Sequence, residues 1–303
     1  MRHGKYPFIA GFLVIPVVLY AVYVIWPYAQ AFYLSFTDWH GISANLHFIG
    51  FANYTKLFHD PVFWKAVEHN IMLLLALPLI TIAIALFLSF MLNVGGRSSG
   101  GKTRGVWGSK FYRVVFFLPQ VLSLAIIAVL FQEILRPDNA GAINSIVHAA
   151  GATNIGFLTN PTIAMWTIIG VLVWQSVGFY VVLFSAGMSS IPADIYEAAE
   201  IDGATRVTLF FRVTLPLLFD TVQVAWVYLG IAAFDAFALV NILTVDNGGP
   251  DGATTVLANE IYRDAFVYSR FGYASAMGVV LFFLTLTFAV LTLRLSRRES
   301  IEY

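Results

Sequence analysis

The chain has no cysteine among its 303 residues, which excludes disulfide frameworks, thiolate metal sites and cysteine nucleophiles. Charge is also scarce: 11% of residues are charged, against about 25% in an average soluble domain. The 17 basic and 17 acidic residues cancel and form no long run, so nothing favours nucleic-acid binding. The six histidines are dispersed, and no His/Asp/Glu group stands at ligand spacing on one helix face. Neither a metal centre nor hydrolytic catalysis has support. No internal repeat is visible, and no hydrophilic segment is long enough to build a domain with its own core. The chain is therefore expected to be non-catalytic and to bind no cofactor, leaving soluble chemistry to partners.

What is abundant is apolar: 59% of residues are hydrophobic and 16% aromatic. A membrane span needs roughly 20 mainly apolar residues, and six stretches qualify, at 8–33, 66–92, 114–135, 163–186, 217–243 and 274–295. The fold class expected is an all-α polytopic membrane protein, one transmembrane domain over 1–303. Ala29-Gln30-Ala31 imitates a signal-peptidase site after the first stretch. That stretch exceeds the usual signal core of about 7–15 residues, which favours a retained anchor over a cleaved peptide.

Orientation follows from the Lys/Arg bias of short loops. With the N-terminus inside, Arg2, Lys5, Arg97, Lys102, Arg104, Lys110, Arg113, Arg206, Arg212, Arg294, Arg297 and Arg298 collect on the cytoplasmic side. Lys56, Lys65, Arg136, Arg263 and Arg270 remain outside. Both termini are expected in the cytoplasm.

Two motifs have bland readings. The run from Gly96 to Thr103 formally fits G-x-x-x-x-G-K-[ST]. That pattern cradles phosphates only between a β-strand and a helix of an α/β domain, and here it follows an apolar helix, so a basic loop is the better reading. Asn53-Tyr54-Thr55 matches the N-glycosylation acceptor, a triplet common by chance.

The segment 190–216 is different in kind. Ser190 and Pro192 suit a helix start, and Gly203 suits its end, where a left-handed residue is needed. Ile195, Ala198, Ala199 and Asp202 share one face, which the two alanines keep low. A second short helix, about 205–213, leads to Leu215-Pro216. Amphipathic helices that rest on lipid usually display Lys/Arg. This one displays Asp194, Glu197, Glu200 and Asp202, which favours a protein partner.

The spacing Glu197-Ala198-Ala199, then Gly203, then Val213-Thr214-Leu215-Pro216 resembles the EAA motif of permease subunits from binding-protein-dependent ABC importers, with Val213 where the family more often has isoleucine. Ser35-Phe36-Thr37-Asp38-Trp39, Phe117-Leu118-Pro119-Gln120, Gly248-Gly249-Pro250 and Phe271-Gly272-Tyr273 are similar to its carbohydrate branch. The texture is also similar to actinobacterial permeases for N-acetylglucosamine or chitobiose. The resemblance implies a type I importer permease fold with cytoplasmic coupling helices. It implies a second EAA-type permease, two ATPases that use ATP and Mg, an extracytoplasmic solute-binding protein, and a sugar substrate crossing a bacterial plasma membrane. Glu197, Ala198, Ala199, Asp202, Gly203, Leu215 and Pro216 would then couple to the ATPase.

A carboxylate within an apolar helix is a functional candidate, because the bilayer penalises it. Asp235 lies in the fifth stretch, flanked by Phe234 and followed by Asn241. In the fourth stretch Gln175, Ser176, Phe179 and Tyr180 share a helix face beside Trp174. Sugars need hydrogen bonds to hydroxyls and aromatic faces for their rings, and both are present. In maltose-type permeases the resemblance places the sugar on these two helices, with Tyr180, Phe234 and Asp235 at or near contacting positions. Ser176 matches an apolar position there. The alternative for these polar groups is helix-to-helix bonding within the bundle. A secondary transporter or channel would explain the spans and Asp235, but not the acidic segment.

Overall fold

The computed structural model describes residues 5–41, 46–94, 105–244, 246 and 248–295. The phosphate-loop-like run 96–103 and the arginines at 297 and 298 lie outside these residues. The described residues are mostly helical. In chain order the helices are α1 (Lys5–Tyr20), α2 (Trp26–Leu34), α3 (Ala52–Phe58), α4 (Pro61–Asn93), α5 (Ser109–Val121), α6 (Leu124–Ile134), α7 (Ala142–Ala149), α8 (Pro161–Ser190), α9 (Ala193–Ile201), α10 (Arg206–Leu209), α11 (Leu215–Leu217), α12 (Phe219–Phe234), α13 (Phe237–Leu243), α14 (Leu257–Tyr262) and α15 (Phe271–Leu295).

Four helices are long and apolar enough to cross a membrane unbroken: Gly11–Leu34, Pro61–Asn93, Pro161–Ser190 and Phe271–Arg294. Two bent pairs raise the number to as many as six. The stretch 114–135 is not one helix: α5 and α6 meet at 96°. Leu122 is extended, and the Ser123 hydroxyl starts a new helix by accepting the Ile126 N–H at 3.4 Å. The stretch 217–243 is also interrupted, by a 72° bend between Arg206–Leu217 and Phe219–Phe234 and again at Asp235.

Prolines account for part of this irregularity. The π-turns Ala21–Ile25 and Phe210–Thr214 each end two residues before a proline, Pro27 or Pro216. A proline gives no N–H to the carbonyl four residues back, and the bond shifts to the i→i+5 pattern, seen as Trp26 N–H to Ala21 O and Leu215 N–H to Phe210 O.

The chain divides into two compact units, Met1–Trp64 with Glu260–Leu284, and Lys65–Asn259 with Thr285–Tyr303. In the first, Phe32 meets Phe282 and Phe283 edge-on at 6.0 and 5.9 Å. Asn53, of the glycosylation-like triplet, is buried, and its amide donates to the carbonyls of Ser35 and Thr37 at 2.9 and 2.8 Å. The triplet's asparagine is thus a structural clasp. Two ion pairs, Arg263 with Glu260 and Arg270 with Asp264, are set among buried carboxyls whose pKa values burial raises.

The second unit holds a continuous apolar core that includes Leu73, Ile127, Ile168, Phe184, Leu209, Leu229 and Leu239. In a bilayer, helix association depends on close packing more than on the hydrophobic effect. Gly178 shows this: a Cβ there would overlap the Phe116 carbonyl, so only glycine lets α5 and α8 approach so closely.

Candidate functional site

Two groups of residues in the second unit carry the functional argument, a lever and a cavity. The lever begins at Pro192, extended with ψ 135°, and continues as α9 with Asp194 in its first turn, where a carboxylate complements the helix dipole. It closes with a full C-terminal cap. Gly203 stands at φ +80°, its N–H donates to Glu200 O at 3.0 Å, and Ala204 N–H reaches Ala199 O at 2.9 Å. Thr205 restarts the chain, its hydroxyl accepting the Thr208 N–H at 3.3 Å.

Tyr196 ties the limbs together. It is buried, and its hydroxyl lies 3.3 Å from the Thr214 hydroxyl. Burial pushes the Tyr196 pKa up, against the opposing pull of that hydrogen bond. Anchoring Tyr196 turns α9 so that its two alanines face different ways. Ala199 packs against the core and Ala198 is exposed, so they do not form one open face. Asp194 and Asp202 are exposed, Ile195, Glu197 and Glu200 half-buried, and Ile201 at the tip is 86% exposed. Leu215 packs on the core while Pro216 is exposed.

The base of the lever is bonded to the end of α4. The Arg206 guanidinium donates to the Val94 carbonyl, and Phe210 meets Phe90 edge-on at 5.2 Å. Asn93 joins three helices: it accepts from Arg113 at 2.6 Å, and donates to Ser185 Oγ at 2.9 Å and to Ser89 O at 2.7 Å.

The cavity, about 240 Å³, is lined by Gln120, Gln175, Ser176, Phe179, Tyr180 and Asp235, with leucines and alanines between them. Phe179 and Tyr180 meet at 88° with centroids 5.2 Å apart, an aromatic corner. Gln175 Nε2 donates to Gln120 Oε1 at 2.8 Å. That bond leaves the Gln120 amide with N–H donors and the Gln175 carbonyl with an acceptor, side by side. Ser176 donates to Leu172 O at 2.7 Å, so its oxygen can still accept. Asp235 ends α12 with φ −100° and ψ 31°, at a break rather than inside a continuous helix, and its side chain is exposed.

Three residues singled out from sequence go elsewhere. Phe234 is buried against Phe288 at 6.3 Å, Asn241 accepts from Asn259 at 3.4 Å, and Trp174 packs edge-on against Phe131 at 5.1 Å. Gln120 is the cavity residue that helix-face reasoning missed. The available signal is an amide directly after the apolar run 114–119, next to Pro119.

A mostly helical chain with four unbroken apolar helices and two bent pairs, and with a cavity in its second unit that carries several polar groups, is a multi-pass membrane transport protein. A family model described as "Binding-protein-dependent transport system inner membrane component" matches residues 6–301, and the chain belongs to that family, the non-catalytic inner-membrane permeases of ABC importers. It is 40% identical over 300 residues to the diacetylchitobiose uptake system permease protein NgcF of Streptomyces coelicolor, covering 98% of this chain and 84% of that one. It is 32% identical over 293 residues to the multiple sugar-binding transport system permease protein MsmF of Streptococcus mutans, covering 95% and 94%. The fold matches a chain of a bacterial ABC transporter involved in the import of the acidic polysaccharide alginate, with a TM-score of 0.80, 23% identity, and coverage of 98% and 97%.

Proposed function

We propose that this chain forms one half of the path by which an ABC importer carries a carbohydrate inward, a short neutral oligosaccharide of acetamido sugars in the class of diacetylchitobiose. The observation that carries the proposal is 40% identity to a diacetylchitobiose permease over 98% of the chain. The cavity supports it. Acetamido sugars present hydroxyls, an amide N–H and an amide carbonyl, and the lining provides acceptors on Asp235 and Gln175 and donors on Gln120. No lining residue is cationic, and Asp235 is a carboxylate, which disfavours an anionic sugar such as alginate. Small-molecule sites run from about 300 to 1,000 Å³, and the cavity here is about 240 Å³. A second EAA-type permease would complete it.

The segment 190–216 is the seat of a separate ATPase, with Glu197, Ala198, Ala199, Asp202, Gly203, Leu215 and Pro216 as the coupling set. Two such ATPases use ATP and Mg, while this chain binds neither. A solute-binding protein delivers the sugar from outside. Each bent pair counts as one span, giving six, with both termini in the cytoplasm as the Lys/Arg bias directs.

The test is uptake by the complete transporter of diacetylchitobiose, a neutral disaccharide without acetamido groups, and a uronic-acid oligosaccharide. Asp235→Ala and Tyr180→Ala are expected to lower diacetylchitobiose uptake by about tenfold or more, the effect of losing a hydrogen-bonding or stacking partner of the sugar. Unchanged rates and unchanged preference among the three sugars would place the solute elsewhere.

A further inference from the structure

Helix α12 stops at Phe234, and Asp235 at its end faces the cavity. A helix end releases carbonyl acceptors, and a helix start releases N–H donors. In an apolar setting both need partners. One residue of α4 meets both needs. Asn70 is 1% exposed, and its amide is used at each end. Nδ2 donates to the Ala233 carbonyl, in the last turn of α12, at 3.2 Å, and Oδ1 accepts the Leu257 N–H, at the start of α14, at 2.8 Å.

Its neighbours hold the segment that precedes Leu257. Lys65 Nζ donates to the Asp251 carbonyl at 2.6 Å, and the His69 ring lies 2.8 Å from the Thr255 carbonyl. Neither is bonded to α12, so among these three side chains Asn70 alone links the segment to the broken helix.

We propose that Asn70 is a positioning residue of the solute cavity: by joining the end of α12 to the start of α14, it holds Asp235 in place against the rest of the lining. The role rests on the reading of the cavity as the solute path.

Because the chain has no cysteine, single engineered thiols report on it cleanly. Asp235→Cys and, on α8, Ser176→Cys are each placed in the full transporter with its partner subunits in vesicles. The rate of modification by a water-soluble thiol reagent is measured with Asn70 intact and with Asn70→Leu. Loss of a buried amide's two bonds is expected to change the rate at 235 by about tenfold and to leave the rate at 176 within about twofold. An unchanged rate at 235, or equal changes at both positions, overturns the proposal. Asn70→Asp keeps an acceptor for Leu257 and lacks the donor to Ala233, so it should shift the rate at 235 as the leucine variant does. Wild-type behaviour of Asn70→Asp would also overturn it, and this variant decides the matter where Asn70→Leu does not assemble. Sugar uptake by Asp235→Ala separates the two readings. Normal uptake beside an intact labelling effect removes the solute path and leaves Asn70's grip on α12 standing.

Discussion

Gln120 and Gln175 are bonded to each other at 2.8 Å, and each also has a free half pointing to what the cavity receives. Removing either leaves its neighbour's half of the bond unmade in an apolar region, a loss of about 1–3 kcal/mol. Gln120→Leu and Gln175→Leu are each expected to reduce sugar uptake by roughly tenfold, with the double variant little worse than either one, because both singles break the same unit. Additive losses in uptake assays would show two independent contacts instead. At this scale sequence and structure diverge for a definite reason. Gln175, Ser176, Phe179 and Tyr180 share a face because one unbroken helix carries them, and helical spacing finds such a set. Gln120 comes from a different helix, and no spacing rule connects residues 55 positions apart. The apolar stretch 217–243 groups Phe234 and Asn241 with Asp235 on a single helix, but α12 ends at Phe234. The break directs Phe234 to Phe288 and Asn241 to Asn259.

The lever and the bent spans show what an element's sequence can disclose. Apolar length is legible because lipid demands it over a whole window of residues. The bends are not, since a window average passes over Ser123 or Asp235 without registering that a helix has stopped there. The cap at Gly203 is legible because only one residue type adopts φ +80° at little cost. An L-residue in that conformation costs about 1–2 kcal/mol, and proline cannot adopt it at all. Gly203→Ala is therefore expected to weaken recovery of the ATPase with the purified permease, and Gly203→Pro to abolish it, while both chains still insert in the membrane. Equal ATPase recovery from all three would detach the lever from the ATPase. Tyr196→Phe gives the matched control: it removes the 3.3 Å hydroxyl contact with Thr214 and keeps the ring. A loss within about 1.5 kcal/mol would leave coupling largely intact.

Over the whole molecule, the proposed orientation rests on the distribution of charge. Both faces are short of it, and its sign is distributed unevenly: Arg97, Lys102, Arg104, Lys110 and Arg113 fall between the second and third spans with no acid among them. Translocating that loop would carry five cations across the bilayer, whereas the opposite orientation exposes only isolated ones such as Arg136. With each bent pair counted as one span, as proposed, the lever follows two spans later and is expected on the side of that loop. The Arg206 contact with Val94 agrees with this, because it sets the base of the lever beside the end of α4, where that loop begins. A cysteine-free chain makes this measurable residue by residue. Ser109→Cys, beside the cationic loop, and Ala198→Cys, on the lever, should react with a membrane-impermeant reagent only after cells are opened. Ser145→Cys on α7 should react in intact cells. Reaction of Ala198→Cys from outside would leave the lever facing away from ATP and end its assignment to the ATPase. The predicted pattern would put the lever on the ATP side and α7, one span away, on the side from which the binding protein delivers solute.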